Sequence, residues 1–200
     1  MARRKTEGRS DIILDSALKQ FAQYGYGKST IQDIAQASGV ANGTVYLYYK
    51  SKEEILRACA ERFHETHQEF SRVVLASEKS PSGKLRDYLC NRYLLWQKET
   101  NNSAAGSDLA QAMIHIAPEI TEAEQALWLA TLKAILKEGE KKELYHFESF
   151  SKELKIFLHC LIGFFPLPGA SHPLSPTKQD LIETLEWFDK KWRTHATFKN

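Results

Sequence analysis

A cluster of polar, aromatic and basic side chains lies between residues 42 and 52, inside the segment 29–54 that reads STIQDIAQASGVANGTVYLYYKSKEE. Hydroxyl, phenol, amide and ammonium groups donate hydrogen bonds to phosphate oxygens, and short polar side chains also reach base edges. An exposed run with two tyrosines, a glycine and a basic flank has no packing reason to exist. These residues therefore indicate contact with a nucleic acid.

Two short helices joined by a tight turn are expected to position these side chains. Ile31 and Ile34 recur at helical spacing, and Ser29 with Gln32 predicts a capping box at the start of the first helix. Gly39 can adopt the positive φ that a sharp reversal requires. The spacing thus predicts a helix-turn-helix unit.

The second of these helices has an inward and an outward face. Val45 and Tyr49 lie four residues apart, so both can face the core, as packing would require in any small helical domain. The outward side then carries Asn42, Gly43, Tyr46 and Leu47, flanked by Thr44 and Tyr48. This outward side is the candidate recognition surface.

From Thr30 to Glu54 the pattern resembles the tetracycline-repressor (TetR) family of bacterial one-component regulators. The family's architecture is a three-helix DNA-binding domain followed by a larger helical domain that binds an effector and dimerises. The resemblance implies phosphate contacts for Thr30 and Tyr46, a sugar-phosphate contact for Tyr48, a backbone anchor for Lys52, and base edges for Asn42, Gly43 and Thr44.

Two positions depart from the family pattern. Ala41 stands where a capping Ser is usual, so Asn42 is expected to cap the second helix instead. Leu47 places an apolar side chain where a polar one is common, and it is expected to meet a thymine methyl group.

The charge distribution agrees with DNA contact. Residues 1–52 hold eight Lys and Arg against four Asp and Glu, a formal charge of +4, whereas the whole chain carries +2. The remaining residues therefore carry −2. A basic N-terminal region attracts the phosphate backbone irrespective of sequence.

Composition and cysteine usage bound the class of protein. The 200 residues are 42% hydrophobic and 26% charged, typical of a soluble globular protein, and no apolar run is long enough to span a membrane. Three cysteines, odd in number and far apart, fit a reducing environment rather than a disulfide framework. We therefore expect a cytoplasmic protein that does not contact a membrane.

The remainder of the chain is helical in pattern, without strand alternation or internal repeats. Ser51 and Glu54 predict a second capping box, which begins a linking helix. The expected fold is all-α with about nine helices. Its predicted domains are a helix-turn-helix DNA-binding domain at residues 1–52 and a helical ligand-binding and dimerisation domain at residues 53–200.

Aromatic and polar residues on the middle helices are candidates for a small-molecule pocket, because such sites combine apolar walls with a few polar groups. The alternative for each is ordinary core packing. The candidates are Tyr93, Trp96, Met113, His115, Ile116, Trp128 and His159.

Two late helices carry more apolar surface than a small domain readily covers, which predicts a homodimer. The candidate interface residues are Phe157, Leu161, Phe164, Phe165, Leu181, Leu185 and Phe188. A two-fold dimer would present two recognition helices to successive major grooves, so a palindromic operator is expected.

Catalysis is not expected, because the sequence contains no G-x-S-x-G, phosphate-loop, C-x-x-C or H-E-x-x-H motif. His64 and His67 offer at most two ligands, so no metal or cofactor is expected. The sequence favours a homodimeric repressor that binds double-stranded DNA and is released by a small-molecule effector. The alternatives are an activator, an effector-independent regulator, and a small-molecule binding protein or enzyme with a residual DNA domain.

Overall fold

The computed structural model describes residues 2–100, 104–165 and 176–194. Within these ranges the chain forms nine helices and no strand, which confirms the all-α prediction. The helices are α1 (Ala2–Tyr24), α2 (Ile31–Ser38), α3 (Asn42–Tyr48), α4 (Lys52–Ala76), α5 (Pro81–Thr100), α6 (Ala104–Ile116), α7 (Pro118–Lys141), α8 (Phe150–Ile162) and α9 (Lys178–Thr194).

The chain divides into two compact units. The first contains the described residues within 1–66 and 99–123, and the second those within 67–98, 124–166 and 171–200. The first unit thus includes α1, α2, α3, the start of α4 and all of α6. The functional boundary predicted after residue 52 falls at the start of α4 and remains a prediction about function.

The first unit has its own apolar core, built from one face of each helix. Ile34 of α2, Val45 of α3 and Ile55 of α4 are fully buried there. Arg62 of α4 donates to the Asp15 carboxylate of α1 at 2.7 Å. Apolar burial and this ion pair together fix α4 against α1.

The core of the second unit is rich in aromatic rings. Trp192 of α9 lies among Phe157, Phe188 and Tyr145, with ring centroids 5.2–5.4 Å away. The Phe157 ring meets Trp192 edge-to-face at 80°, a geometry that is favourable beyond the buried area, and the other two rings are tilted at 55° and 40°.

Buried charges in the second unit are paired. The Lys84 ammonium group, almost fully buried, donates to the Leu75 carbonyl and to a Glu138 carboxylate oxygen, both at 2.8 Å. These bonds connect α5 to the end of α4 and to α7, and they offset the cost of burying the Lys84 charge.

Among the described helices, none combines the length and the apolar character needed to cross a membrane.

Candidate DNA interface

The first helix of the helix-turn-helix unit begins with a capping box, one residue later than the sequence predicted. The N-cap is Thr30, whose hydroxyl accepts from the Asp33 amide at 3.1 Å, while the Asp33 carboxylate accepts from the Thr30 amide at 2.9 Å. The Ser29–Gln32 box was therefore wrong. Ser29 is buried, and its hydroxyl instead donates to the Gly25 carbonyl at 2.7 Å.

The turn after α2 depends on Gly39, as predicted. Gly39 has φ of 68°, a left-handed conformation that glycine adopts without a steric penalty. The next amide, of Val40, donates to the Ala35 carbonyl at 3.1 Å and ends the helix. The reversal therefore takes place within three residues, at Gly39, Val40 and Ala41.

The second helix presents the outward surface that its spacing predicted. Val45 is fully buried, and Tyr49 is 7% exposed with its phenol oxygen 2.7 Å from the Ser10 hydroxyl. On the opposite side Tyr46 is 51% exposed and Leu47 is 83% exposed.

The other residues predicted to contact DNA border this exposed side. Asn42 and Gly43 are exposed in the first turn of α3, Thr44 and Tyr48 are half-exposed beside them, and Thr30 is exposed at the start of α2. Asn42 does not cap the helix, because the N-cap residue is Ala41, and no side chain makes a capping bond at that position. The Asn42 side chain thus lies in the first helical turn, on the exposed surface.

Lys52 occupies a different position from the other predicted contacts. Its ammonium group donates to the Tyr26 carbonyl at 2.8 Å and to the Ser29 carbonyl at 2.9 Å, and lies 4.3 Å from the Tyr26 ring centroid. Burial, together with the carboxylates of Glu53 and Asp108, raises the pKa of Tyr26 to about 12, so the ring stays neutral. Two of the three N–H donors of the Lys52 ammonium group therefore hold the loop before α2.

Two exposed lysines that were not among the predicted contacts lie on either side of the helix-turn-helix unit in the sequence. Lys28 precedes α2 and Lys50 follows α3, and both are exposed. Lys50 could have been found from sequence, because it falls between two predicted helices where no packing role is expected.

A second contact that sequence reasoning missed also fixes this loop. An Asp108 carboxylate oxygen on α6 accepts from the Gly27 amide at 2.7 Å. Gly25 has φ of 92°, and a Cβ atom there would lie 2.9 Å from the same oxygen. Since Asp108 is 81 residues from Gly27 in sequence, no local pattern could have predicted this bond.

The residues predicted to line an effector pocket do not form one group. Met113 and Ile116 pack against the core of the first unit, and His115 is exposed on the same helix. His159 is exposed on α8 of the second unit. Helical spacing does not show which core each apolar face joins, so the pocket predicted from sequence combined residues of both units.

Three of the pocket candidates do converge in the second unit. Tyr93 and Trp96 of α5 and Trp128 of α7 each lie 6.1–6.4 Å, centroid to centroid, from the ring of Phe165. We call these three residues the aromatic box. The Tyr93 phenol donates to the Pro176 carbonyl at 3.1 Å and accepts from the Gln97 amide at 2.7 Å.

A buried polar cluster lies one helical turn before the box on the same two helices. Glu124 of α7 accepts from Arg92 of α5 at 3.4 Å, and its carboxylate lies 2.7 Å from Nδ1 of His67 on α4. The cluster therefore joins α4, α5 and α7 by charge-assisted bonds.

The residues predicted to form the dimer interface are packed inside the chain instead. Phe165 contacts the aromatic box, and the other six are buried in the core of the second unit: Phe157, Leu161, Phe164, Leu181, Leu185 and Phe188. The prediction was wrong, because an apolar stripe on a helix does not distinguish its own core from a second chain. The outward faces of α8 and α9 instead expose Ile156, Ile162 and Trp187, at 46%, 59% and 60%.

The fold and the exposed surface of α3 define a helix-turn-helix protein. Residues 13–59 match the family described as bacterial regulatory proteins, tetR family. The HTH-type transcriptional regulator TtgR of Pseudomonas putida is 30% identical over 93 residues, covering 44% of this chain and 44% of that protein. The probable regulator ArpR, also of Pseudomonas putida, gives the same values, so the chain matches less than half the length of these relatives.

Solved structures share the fold over nearly the whole chain. SmeT, the repressor of the Stenotrophomonas maltophilia multidrug efflux pump SmeDEF, superimposes with a TM-score of 0.69 at 18% identity, covering 92% of this chain and 89% of that one. The regulator FadR of Bacillus subtilis, in complex with stearoyl-CoA, gives a TM-score of 0.61 at 23% identity, covering 92% and 91%. SmeT has also been solved in complex with triclosan. The structures therefore show a shared fold, and the match to the tetR family covers residues 13–59 of this chain.

Proposed function

We propose that this protein is a transcriptional regulator that binds double-stranded DNA through α3 and represses the genes beside its operator. The observation that carries the proposal is the outward face of α3, where Tyr46 and Leu47 are exposed directly after a rigid turn. Exposed aromatic and apolar side chains beside donors are not stabilised by the protein's own fold, whereas a DNA groove would cover them.

Each residue of this surface has a role set by its chemistry. The phenols of Tyr46 and Tyr48 and the backbone near Thr30 contact phosphates and sugars, which fix the position of α3 on the duplex. The first turn of α3 reads base edges through Asn42, Gly43 and Thr44. The Leu47 side chain packs against a thymine methyl group.

Lys50, rather than the engaged Lys52, supplies an additional charge for a phosphate. Lys50 is exposed at the end of α3. An exposed lysine can approach the DNA backbone without breaking bonds that hold the protein together.

The regulator is proposed to act as a homodimer through the outward faces of α8 and α9. Ile156, Ile162 and Trp187 expose apolar surface there that a second copy would cover. A two-fold dimer places two recognition helices about 34 Å apart, or a multiple of that, so the operator is a palindrome. Sedimentation of a monomer at micromolar concentration would contradict the dimer.

A small-molecule effector is proposed to bind in the second unit at the aromatic box and release the DNA. SmeT and FadR, which share the fold, have been solved with triclosan and stearoyl-CoA respectively. An effector that prefers the conformation with wrongly spaced recognition helices lowers operator affinity by the ratio of its affinities for the two conformations. A ligand that binds the box without changing operator affinity would exclude this mechanism.

The proposed activity needs no catalytic group or cofactor, and its DNA target places the protein in the cytoplasm. The test is selection of bound sequences from a random double-stranded DNA pool by the purified full chain at near-physiological salt. Enrichment of a palindrome is expected. If the folded protein enriches no sequence, the DNA-binding proposal fails and a small-molecule binding protein or enzyme becomes the better account.

A further inference from the structure

The aromatic box is filled by a residue of the same chain. Phe165 meets Tyr93, Trp96 and Trp128 with interplanar angles of 75°, 82° and 67°, so its ring stands edge-to-face with all three. Such geometry is the preferred one for aromatic pairs, since the positive edge of one ring meets the negative face of another. The space is therefore shaped for one flat ring.

Phe165 lies outside the helix that precedes it. Helix α8 ends at Ile162, and Phe165 follows in a turn closed by its amide donating to the Ile162 carbonyl at 3.1 Å. Its neighbour Phe164 is buried in the core at 5% exposure, whereas Phe165 is only half-buried. The Phe165 ring can leave the box by a change in this one turn, without unwinding α8.

One polar atom of the box is buried without the hydrogen-bond partner that buried polar atoms normally have. Nε1 of Trp128 is buried and has no hydrogen-bond acceptor among the residues the structure describes. Native proteins pair nearly all buried donors, and an exception calls for a specific reason. The phenyl ring of Phe165, which packs against this indole, has no atom that accepts a conventional hydrogen bond.

Trp192 also has a buried N–H without an acceptor among the described residues, but its setting differs. Trp192 is 0% exposed inside the core, whereas Trp128 is partly exposed at the edge of the second unit's core. A ligand can reach the indole of Trp128 once Phe165 moves, and it cannot reach that of Trp192 without opening the core.

We propose that Phe165 is a plug that a flat aromatic ligand with a hydrogen-bond acceptor on its ring edge displaces, and that the ligand accepts from Nε1 of Trp128. The ligand ring takes over the edge-to-face contacts of Phe165 with Tyr93 and Trp96 and adds the missing acceptor. This inference rests on the effector site of the proposed function and assigns it a ligand class and a gate.

The test uses two probes of the same shape and the purified full chain without DNA. Quinoline carries a ring nitrogen that accepts a hydrogen bond and is uncharged near neutral pH, and naphthalene lacks that acceptor. Ligand-observed NMR gives the affinity of each probe for the wild type, for Phe165→Ala and for the double variant Phe165→Ala, Trp128→Phe. Phe150→Ala is the matched control, because Phe150 is also half-buried in the second unit but contacts Phe147 and Lys137.

Phe165→Ala is expected to bind quinoline about tenfold more tightly than the wild type, since the probe no longer displaces a ring held by edge-to-face contacts. Phe150→Ala should leave the affinity unchanged. In Phe165→Ala quinoline should bind about five- to tenfold more tightly than naphthalene, the value of one buried hydrogen bond. Adding Trp128→Phe to this variant should remove the difference between the probes.

Two results would overturn the inference: no gain in quinoline affinity in Phe165→Ala, or a preference for quinoline that persists in the double variant. If Phe165→Ala is unfolded by circular dichroism, Phe165→Leu keeps apolar volume and should still show a smaller gain. Its failure to do so in a folded protein would equally overturn the plug. Because no DNA is present, this outcome is independent of the pool selection, which alone decides whether the protein binds DNA.

Discussion

The helix-turn-helix unit and the core of the second unit differ in what holds them. The helix-turn-helix unit is fixed at three places: by the Thr30–Asp33 box at the start of α2, by the left-handed Gly39 in the turn, and by the bonds from Lys52 to two carbonyls of the loop before α2. The second core is fixed by rings packed around Trp192. Polar contacts hold a backbone in one geometry and leave side chains free for a partner, whereas apolar packing uses the side chains themselves.

The difference also explains where sequence reasoning succeeded. The capping bonds between Thr30 and Asp33 and the bond from Val40 to Ala35 join residues three to five positions apart, so spacing and residue type predicted the helix-turn-helix and the exposed face of α3. In the second unit, the core is assembled from distant segments, and the apolar stripes of α8 and α9 were assigned to a dimer interface although they pack inside the chain.

The largest expected effect is on stability, and it distinguishes a residue in the core of the second unit from a residue on its exposed surface. Phe157→Ala removes a fully buried ring and should cost about 3–5 kcal/mol of unfolding free energy. Trp187→Ala removes a 60% exposed ring and should leave the unfolding of the protomer nearly unchanged while weakening the dimer. Chemical denaturation and sedimentation measure the two effects, and the reverse pattern would restore the interface predicted from sequence.

A smaller effect distinguishes the two lysines beside α3. Lys52→Ala should destabilise the first unit by about 2 kcal/mol, because two carbonyls lose a charged donor. Lys50→Ala should leave the melting temperature unchanged and lower the salt dependence of DNA binding by about one unit of slope per protomer. A lowered salt slope with unchanged stability in Lys52→Ala would instead assign the phosphate contact to Lys52.

Tyr46→Phe should weaken binding to every DNA sequence alike, by about 1 kcal/mol, because a phosphate contact carries no sequence information. Thr44→Val is the comparison, since loss of a base-edge contact should change which sequences are preferred. Anisotropy titrations with the selected duplex and a scrambled one measure both. If Tyr46→Phe changed the preference among sequences, its phenol would be reading a base.

The smallest expected effect concerns pH. Hydrogen bonds from the hydroxyl and amide of Thr30 lower the pKa of the Asp33 carboxyl, so its folded value lies below its unfolded value. The capping stability is then complete above the unfolded pKa and is lost as pH falls through the folded one. Asp33→Asn should slightly reduce the fall in melting temperature between neutral and acidic pH, because this contribution to stability is then absent at both. An unchanged acid dependence would show that the box contributes nothing measurable.

The same Thr-x-x-Asp box opens α9, where the Thr177 hydroxyl donates to the Asp180 carboxylate and accepts from the Asp180 amide. Both boxes are recognisable in the sequence, but the Ser29–Gln32 spacing predicts the box of α2 one residue too early. A hydroxyl residue followed three positions later by a residue with a side-chain acceptor occurs twice before α2, starting at Ser29 and at Thr30. Only the backbone decides, because Ser29 turns inward to the Gly25 carbonyl.

Contacts between residues far apart in the sequence could not be predicted from the sequence. The bond from Gly27 to Asp108 and the meeting of Phe165 with Trp96 join residues that no periodicity relates. The helical spacing of Tyr93, Trp96 and Trp128 identified apolar faces but not their common neighbour. Fold class and the exposed surface of α3 were therefore predictable, and the aromatic box was predictable only in part.

The most direct test of the central claim, that the first turn of α3 lies against base edges, uses Gly43→Ala. No atom lies within 4 Å of a Cβ built at Gly43, so the fold accepts the methyl group, and alanine favours a helix. We predict an unchanged or higher melting temperature together with about a tenfold or greater loss of affinity for the selected duplex, and little change for scrambled DNA. Wild-type affinity for the selected duplex in a folded Gly43→Ala protein would contradict the account.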